Sequence, residues 1–157
     1  MLYADSALSD FHGRPTKDFV ADLREEAGPQ WSSLITDLFD KITVFDDRVT
    51  DATSKKRPDG KYDVILKVHT AKVHMDGLGK ETRAKFDLPI DIGVFAKAAS
   101  GRERDEKVLY LAKRNVADGD STVTVTVDSE PYEAGIDPMN KLVDRDLDDN
   151  RKKVDLQ

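Results

Sequence analysis

Three histidines, His12, His69 and His74, are the side chains of this sequence best suited to hold a transition metal or to move a proton near neutral pH. His69 and His74 are an odd number of residues apart inside an alternating apolar run, so a strand points them to opposite faces and they cannot share one ion. Neither HExxH nor a His-x-His pair accompanies them, and a chain without cysteine can build no thiolate zinc or iron–sulfur site. The second candidate is "DRDLDDNRKKVD", in which Asp144, Asp146 and Asp148 fall at the first, third and fifth positions of an EF-hand-like loop and Asp155 at the twelfth. The match fails at the sixth position, where the sharp turn wants Gly and the chain has Asp149, and at the ninth, which is Lys152. A looser calcium loop of Asp144, Asp146, Asp148 and Asn150 stays open beside a plain solvated acidic tail.

Other chemistries find no motif. The chain has no G-x-S-x-G elbow, and "DGLGKET" lacks the spacing of a phosphate-binding loop, which leaves it as a turn. "STVTVTV" would present a polar threonine face to a glycan or peptide, and is equally the pattern of an ordinary half-buried strand. Lys55, Lys56, Arg57 and Lys61 bracket a Pro-Asp-Gly and raise the question of a nucleic-acid hook. A net charge of -6 argues against it, because affinity for phosphate polymers needs many clustered cations. No nucleic-acid partner, no cofactor and no catalytic or metal-ligating residue is therefore expected in this chain. No run is long and apolar enough to span a bilayer, and "MLYADSALSDFHG" has neither a basic nor an apolar leader region, so a soluble chain with no direct membrane contact is expected.

These side chains must be positioned by 157 residues, enough for one ordinary domain that buries roughly 70% of its unfolded surface. The hydrophobic period changes once, near residue 42. Before it, Phe19, Val20, Leu23 and Ala27 recur at helical spacing between a Thr16 cap and a Gly28 stop. Pro29 then opens a second helix whose stripe is Trp31, Leu34, Ile35, Leu38, Phe39 and Ile42.

Beyond it the period is two. A polar strand from Val44 to about Thr53 leads through the turn "RPDG" into a run in which Tyr62, Val64, Leu66 and Val68 share a face. "MDGLGKE" turns the chain into "RAKFDLPIDIGVF", with Ala84, Phe86, Leu88 and Ile90 inward and Pro89 indicating an edge or a bulge. "VLYLAKRNV", "STVTVTVDS" with Val123, Val125 and Val127 inward, and a short strand at Tyr132 to Ile136 complete six or seven strands. The expectation is a mainly β, immunoglobulin-like antiparallel β-sandwich over residues 43–137, preceded by two short α-helices in residues 1–42. A charged tail, 138–157, is expected to be irregular and docked through Met139, Leu142 and Val143.

The stretch "WSSLITDLFDKITVFDDRVTDATSKKRPDGKYDVILKV", with "LPIDIGVFA", "VLYLAKRNV", "TVTVTVD" and "AGIDPMNKLVDRDLDDN", resembles the C-terminal region of bacterial aminopeptidase-N-like zinc metallopeptidases of the gluzincin type, fused behind an ABC-transporter-type permease. The resemblance runs from about Pro15 to about Val154. It implies that a helix reading W-x-x-L-I-x-D-L-F-x-K-I-T ends the peptidase's helical part and that "KKRPDGKYDV" forms a hairpin opening a sandwich.

The family's chemistry rests on a zinc held by HExxH and a downstream Glu, a Gly-x-Met-Glu-Asn-type loop for the substrate amine, and an oxyanion-stabilising Tyr. The first three motifs are absent here, so no catalytic residue carries over, and Tyr62, Tyr110 and Tyr132 in strand patterns are not promoted to that role. What the resemblance implies is a non-catalytic accessory domain whose partner is the peptidase domain of the same parent chain. Zinc would be confined to that domain, and the parent would lie in the inner membrane with this part periplasmic. A free-standing module that binds a protein, peptide or glycan is the alternative.

Overall fold

A computed structural model describes residues 16–98 and 105–157. His12 and most of the charged loop "ASGRERDEK" fall outside them. The chain divides into two compact units, Met1–Ile42 and Thr43–Gln157.

In the first unit, α1 spans Thr16–Ala27 and ends where Gly28 takes a φ of 81° and donates its N–H to the Arg24 carbonyl. Left-handed backbone at a helix exit is the conformation glycine adopts without a Cβ penalty. Pro29 opens a single 3₁₀ turn, Pro29–Trp31, before α2, Ser32–Phe39. The helix expected from Pro29 onward is therefore tighter at its start and only two turns long as an α-helix. Its stripe is divided: Ile35 is buried, but Trp31, Leu38, Phe39 and Ile42 are 45–65% exposed. Phe19 and Phe39 meet edge to face at 6.1 Å, and Arg24 forms an ion pair with Asp40 that joins the two helices.

The second unit is mainly β, with two sheets around one core. Strands β1 (Ile42–Lys56), β2 (Tyr62–Met75), β3 (Glu81–Ala84), β6 (Gly119–Val127) and β9 (Asp155–Leu156) make one sheet; β4 (Ile90–Ala96), β5 (Lys107–Arg114), β7 (Glu133–Ile136) and β8 (Arg151–Lys153) make the other. In the first, β2 is central, with β1 on one side and both β3 and β6 on the other, and β9 runs parallel to the far end of β1. The second is antiparallel in the order β5-β4-β7-β8.

Val64, Leu66 and Val68 of β2 and Val123, Val125 and Val127 of β6 face Ile92, Val94, Ala134 and Ile136 in a common core. Fully burying a side chain of the Val or Leu class contributes about 1.5–3 kcal/mol, so these alternating runs are what hold the two sheets together. The sandwich expected from the period of two is thus the observed architecture.

Two turns close as their residues dictate. Gly60 at φ 85° donates to the Arg57 carbonyl while Arg57 N–H pairs with Lys61 O, and Gly79 at φ 84° repeats the arrangement with Asp76 and Lys80. Asp76 Oδ1 further accepts the Leu78 and Lys80 N–H groups. Each is a turn followed by a left-handed glycine, which matches the twist of the flanking strands.

Three expectations need correction. "RAKFDLPIDIGVF" is not one strand: β3 and β4 lie in different sheets, and residues 85–89 carry the chain across the core with Phe86 buried against Phe45 at a ring distance of 6.0 Å. Pro89 consequently precedes β4, a central strand, and interrupts no ladder. The C-terminal segment is not an irregular tail, since β8 pairs with β7 and β9 with β1, with Val154 entering the core between them. Of its three proposed anchors only Leu142 packs on the core; Met139 and Val143 are 43% and 68% exposed.

Candidate functional site: an acidic seam between the first strand and the C-terminal segment

The first strand has an edge that would otherwise expose unpaired amides, and residues 143–149 cover it. Phe45 donates to the Val143 carbonyl and accepts from Arg145 N–H, forming a parallel bridge with Asp144, and Val49 N–H donates to Asp149 O. Along this part of β1 the buried residues alternate as Phe45, Asp47 and Val49. An aspartate therefore occupies the middle of an apolar face and has no exposed surface.

The C-terminal segment brings further acids to it. Asp47 N–H donates to Asp144 Oδ2 at 3.0 Å, and Asp144 Oδ1 accepts from Asp146 N–H at 3.2 Å. Asp137, 2% exposed and held at a φ of 38°, donates its N–H to Asp91 O and accepts the Leu142 N–H on Oδ2 at 2.8 Å. Asn150, with no exposed surface, offers its carbonyl to Ile136 N–H.

Burial raises the Asp47 carboxyl from 3.8 to about 8, and the charges of Asp144, Asp137 and Asp46 push it in the same direction. Desolvation also raises Asp144, while Asp149 is raised by burial and by the nearby Asp146 and Asp144. The backbone N–H of Ala71 favours the ionised form of Asp47, as the Asn150 carboxamide does for Asp144, but neither contact reaches hydrogen-bond geometry. At the rim the sign reverses: Lys141 binds Asp91 at 2.6 Å, with Lys113 at 3.5 Å, and holds that carboxyl below its usual range.

The looser calcium loop is not assembled from the four residues its spacing brought forward. Asp146 and Asp148 are exposed, and their backbone amides are taken in consecutive turns by Asp144 Oδ1 and Asp146 Oδ1. Asp144 instead turns toward β1, where its Oδ2 accepts the Asp47 N–H, and the Asn150 backbone carbonyl is held by Ile136 of β7. Asp47 was missed by sequence reasoning, although a signal was present: an acid flanked at two-residue spacing by Phe45 and Val49 breaks the alternation of a core-facing strand.

His69 and His74 stay apart. His69 pairs across the β2–β6 ladder with Asp120 at 2.6 Å, and His74 stands opposite Thr82 of β3. Among the described residues no three His, Asp or Glu side chains are arranged to hold a metal ion. No helix among the described residues is long and apolar enough to cross a membrane.

The basic turn is self-satisfied: Arg57 pairs with Asp59 and Asp63, Lys61 with Asp128 at 2.8 Å, and Lys56 lies over the Tyr62 ring. Such exposed pairs contribute little to stability, but they balance the cations that a phosphate backbone would need. The polar face of β6 is as expected, with Thr122, Thr124 and Thr126 exposed, and a shallow groove lined by Thr50, Lys67, Asp120 and Thr122 runs beside it. Compared with protein-family models, with curated proteins and with solved structures, the chain matches none.

Proposed function

We propose that this chain is a non-catalytic accessory domain, with an immunoglobulin-like sandwich, of a membrane-associated zinc aminopeptidase-like protein. In this reading the sandwich braces the wall of a peptidase domain carried by the same parent chain. The observation that supports it best is the stripe along α2 and the residues flanking it, where Trp31, Leu38, Phe39 and Ile42 expose 45–65% of their surface. Clustered large apolar side chains on a helix mark a surface that another body covers. The family resemblance supplies the identity of that body and the periplasmic setting; zinc and the peptidase chemistry belong to it and not to this chain.

The reading frame preceding Met1 tests the proposal. It is expected to encode HExxH, a further Glu about twenty residues on, and membrane spans before them. A start codon preceded by a terminator would leave the alternative, a free-standing module that binds a peptide or glycan along the threonine face of β6. Purified alone, the chain is expected to carry no zinc and to turn over no aminoacyl substrate; stoichiometric zinc with turnover contradicts the proposal.

A further inference from the structure

Both carboxylate oxygens of Asp47 lack a hydrogen-bond partner, as do both polar atoms of the Asn150 carboxamide, and the two residues have no exposed surface. A buried polar group left unsatisfied costs about 1–3 kcal/mol, and an ionised carboxylate costs more. The sequence places Asp47 where a valine would pack, between core residues Phe45 and Val49, so its ionised form needs a compensating interaction.

Nearby cations do not provide it. Arg48 is paired with Asp46, Lys72 with Asp87, Lys141 with Asp91 and Arg145 with Glu81. The strongest charges acting on Asp47 are those of other aspartates.

We propose that Asp47, Asp144 and Asn150 form a binding site for a hard divalent cation of the calcium type. Carboxylate and carboxamide oxygens are the donors such an ion takes, and its flexible coordination of six to eight oxygens tolerates an irregular protein shell completed by water. Among the described residues no third carboxylate is arranged with these two to hold an ion. This set of two acids and one amide is a partial shell, suited to an affinity on the order of 10⁻⁴ to 10⁻³ M. Asp144, half-buried at the rim, gives the ion its way in. Bound there, the cation would tie the C-terminal segment to β1 at the edge it covers.

Calcium titration of the chelator-treated chain by calorimetry, with thermal melts in calcium, magnesium or EDTA, tests the site. One equivalent of calcium is expected to bind and raise Tm by several degrees. Asp47→Asn and Asp144→Asn should each weaken binding at least tenfold, while Asp146→Asn, in the exposed turn, should leave it unchanged. No heat and no melting shift at about 5 mM calcium overturns the proposal, as does binding that survives Asp47→Asn. Should that variant not fold, amide shifts in the wild-type chain decide: movement at Asp47, Ala71 and Asn150 supports the site, and movement confined to residues 146–149 overturns it.

Discussion

The backbone N–H of Asp47 donates to the side chain of Asp144 across ninety-seven residues of sequence, at 3.0 Å. This contact fastens the chain's last segment to the edge of its first strand and sets the half-buried Asp144 beside the buried Asp47. Its consequences are mostly electrostatic.

Stability in the absence of divalent cations should fall as pH rises from mildly acid to mildly alkaline. The folded state keeps a proton on Asp47 up to about 8, whereas the unfolded chain releases it near 3.8, so between those values the folded state binds more protons and loses ground with each unit of pH. Asp144 and Asp149 act in the same direction, and the charges acting on Asp47, those of Asp144, Asp137 and Asp46, are all of acids. Asp91, held low by Lys141, acts oppositely and loses its contribution only on strong acidification. Calorimetry in EDTA should show Tm dropping by on the order of 5–10 °C between about pH 5 and pH 9, with Asp47→Asn flattening the slope. A flat or rising wild-type profile over that window counts against a buried, proton-holding Asp47.

Gly135→Ala should be strongly destabilising even though it only adds a methyl group. A Cβ there would lie 2.7 Å from the Asn150 backbone oxygen, and the Ile136 N–H beside it already holds that oxygen. Overpacking against backbone costs about 1–3 kcal/mol, readable as a lower urea midpoint. An unchanged midpoint would mean that the C-terminal segment does not press on β7.

Lys72 is 2% exposed and pairs with Asp87 at 2.9 Å. Asp87→Asn removes one charged partner of a buried lysine and should cost about 1–3 kcal/mol, reduced from the fully buried case because Asp87 is partly solvated. Lys72→Met removes the charge along with the need for a partner and should cost less. The reverse order in urea unfolding would show that the lysine's stem, rather than its charge, matters most.

Much of this architecture was legible because local chemistry and global fold agreed. Val64, Leu66 and Val68 alternate with polar neighbours, and Gly60 and Gly79 stand where a turn needs left-handed backbone. The sheet change at 85–89 was hidden because Ala84, Phe86, Leu88 and Ile90 keep their inward phase straight through the crossover. Strands β8 and β9 were hidden for another reason: "RKKVDL" pairs through its backbone, and only Val154 enters the core. Spacing brought forward Asp144 and Asn150, but as members of a local loop. Asp47 is distant in sequence, and only the fold brings it to Asp144.

Hydrogen exchange over residues 31–42 tests the accessory-domain proposal most directly. The chain should be measured alone and as part of the protein encoded by the reading frame that precedes Met1. Amides around Trp31, Leu38 and Phe39 are expected to be at least tenfold better protected in the longer protein, where the stripe is covered, than in the isolated chain. Equal exchange in both would contradict a domain built to pack through α2.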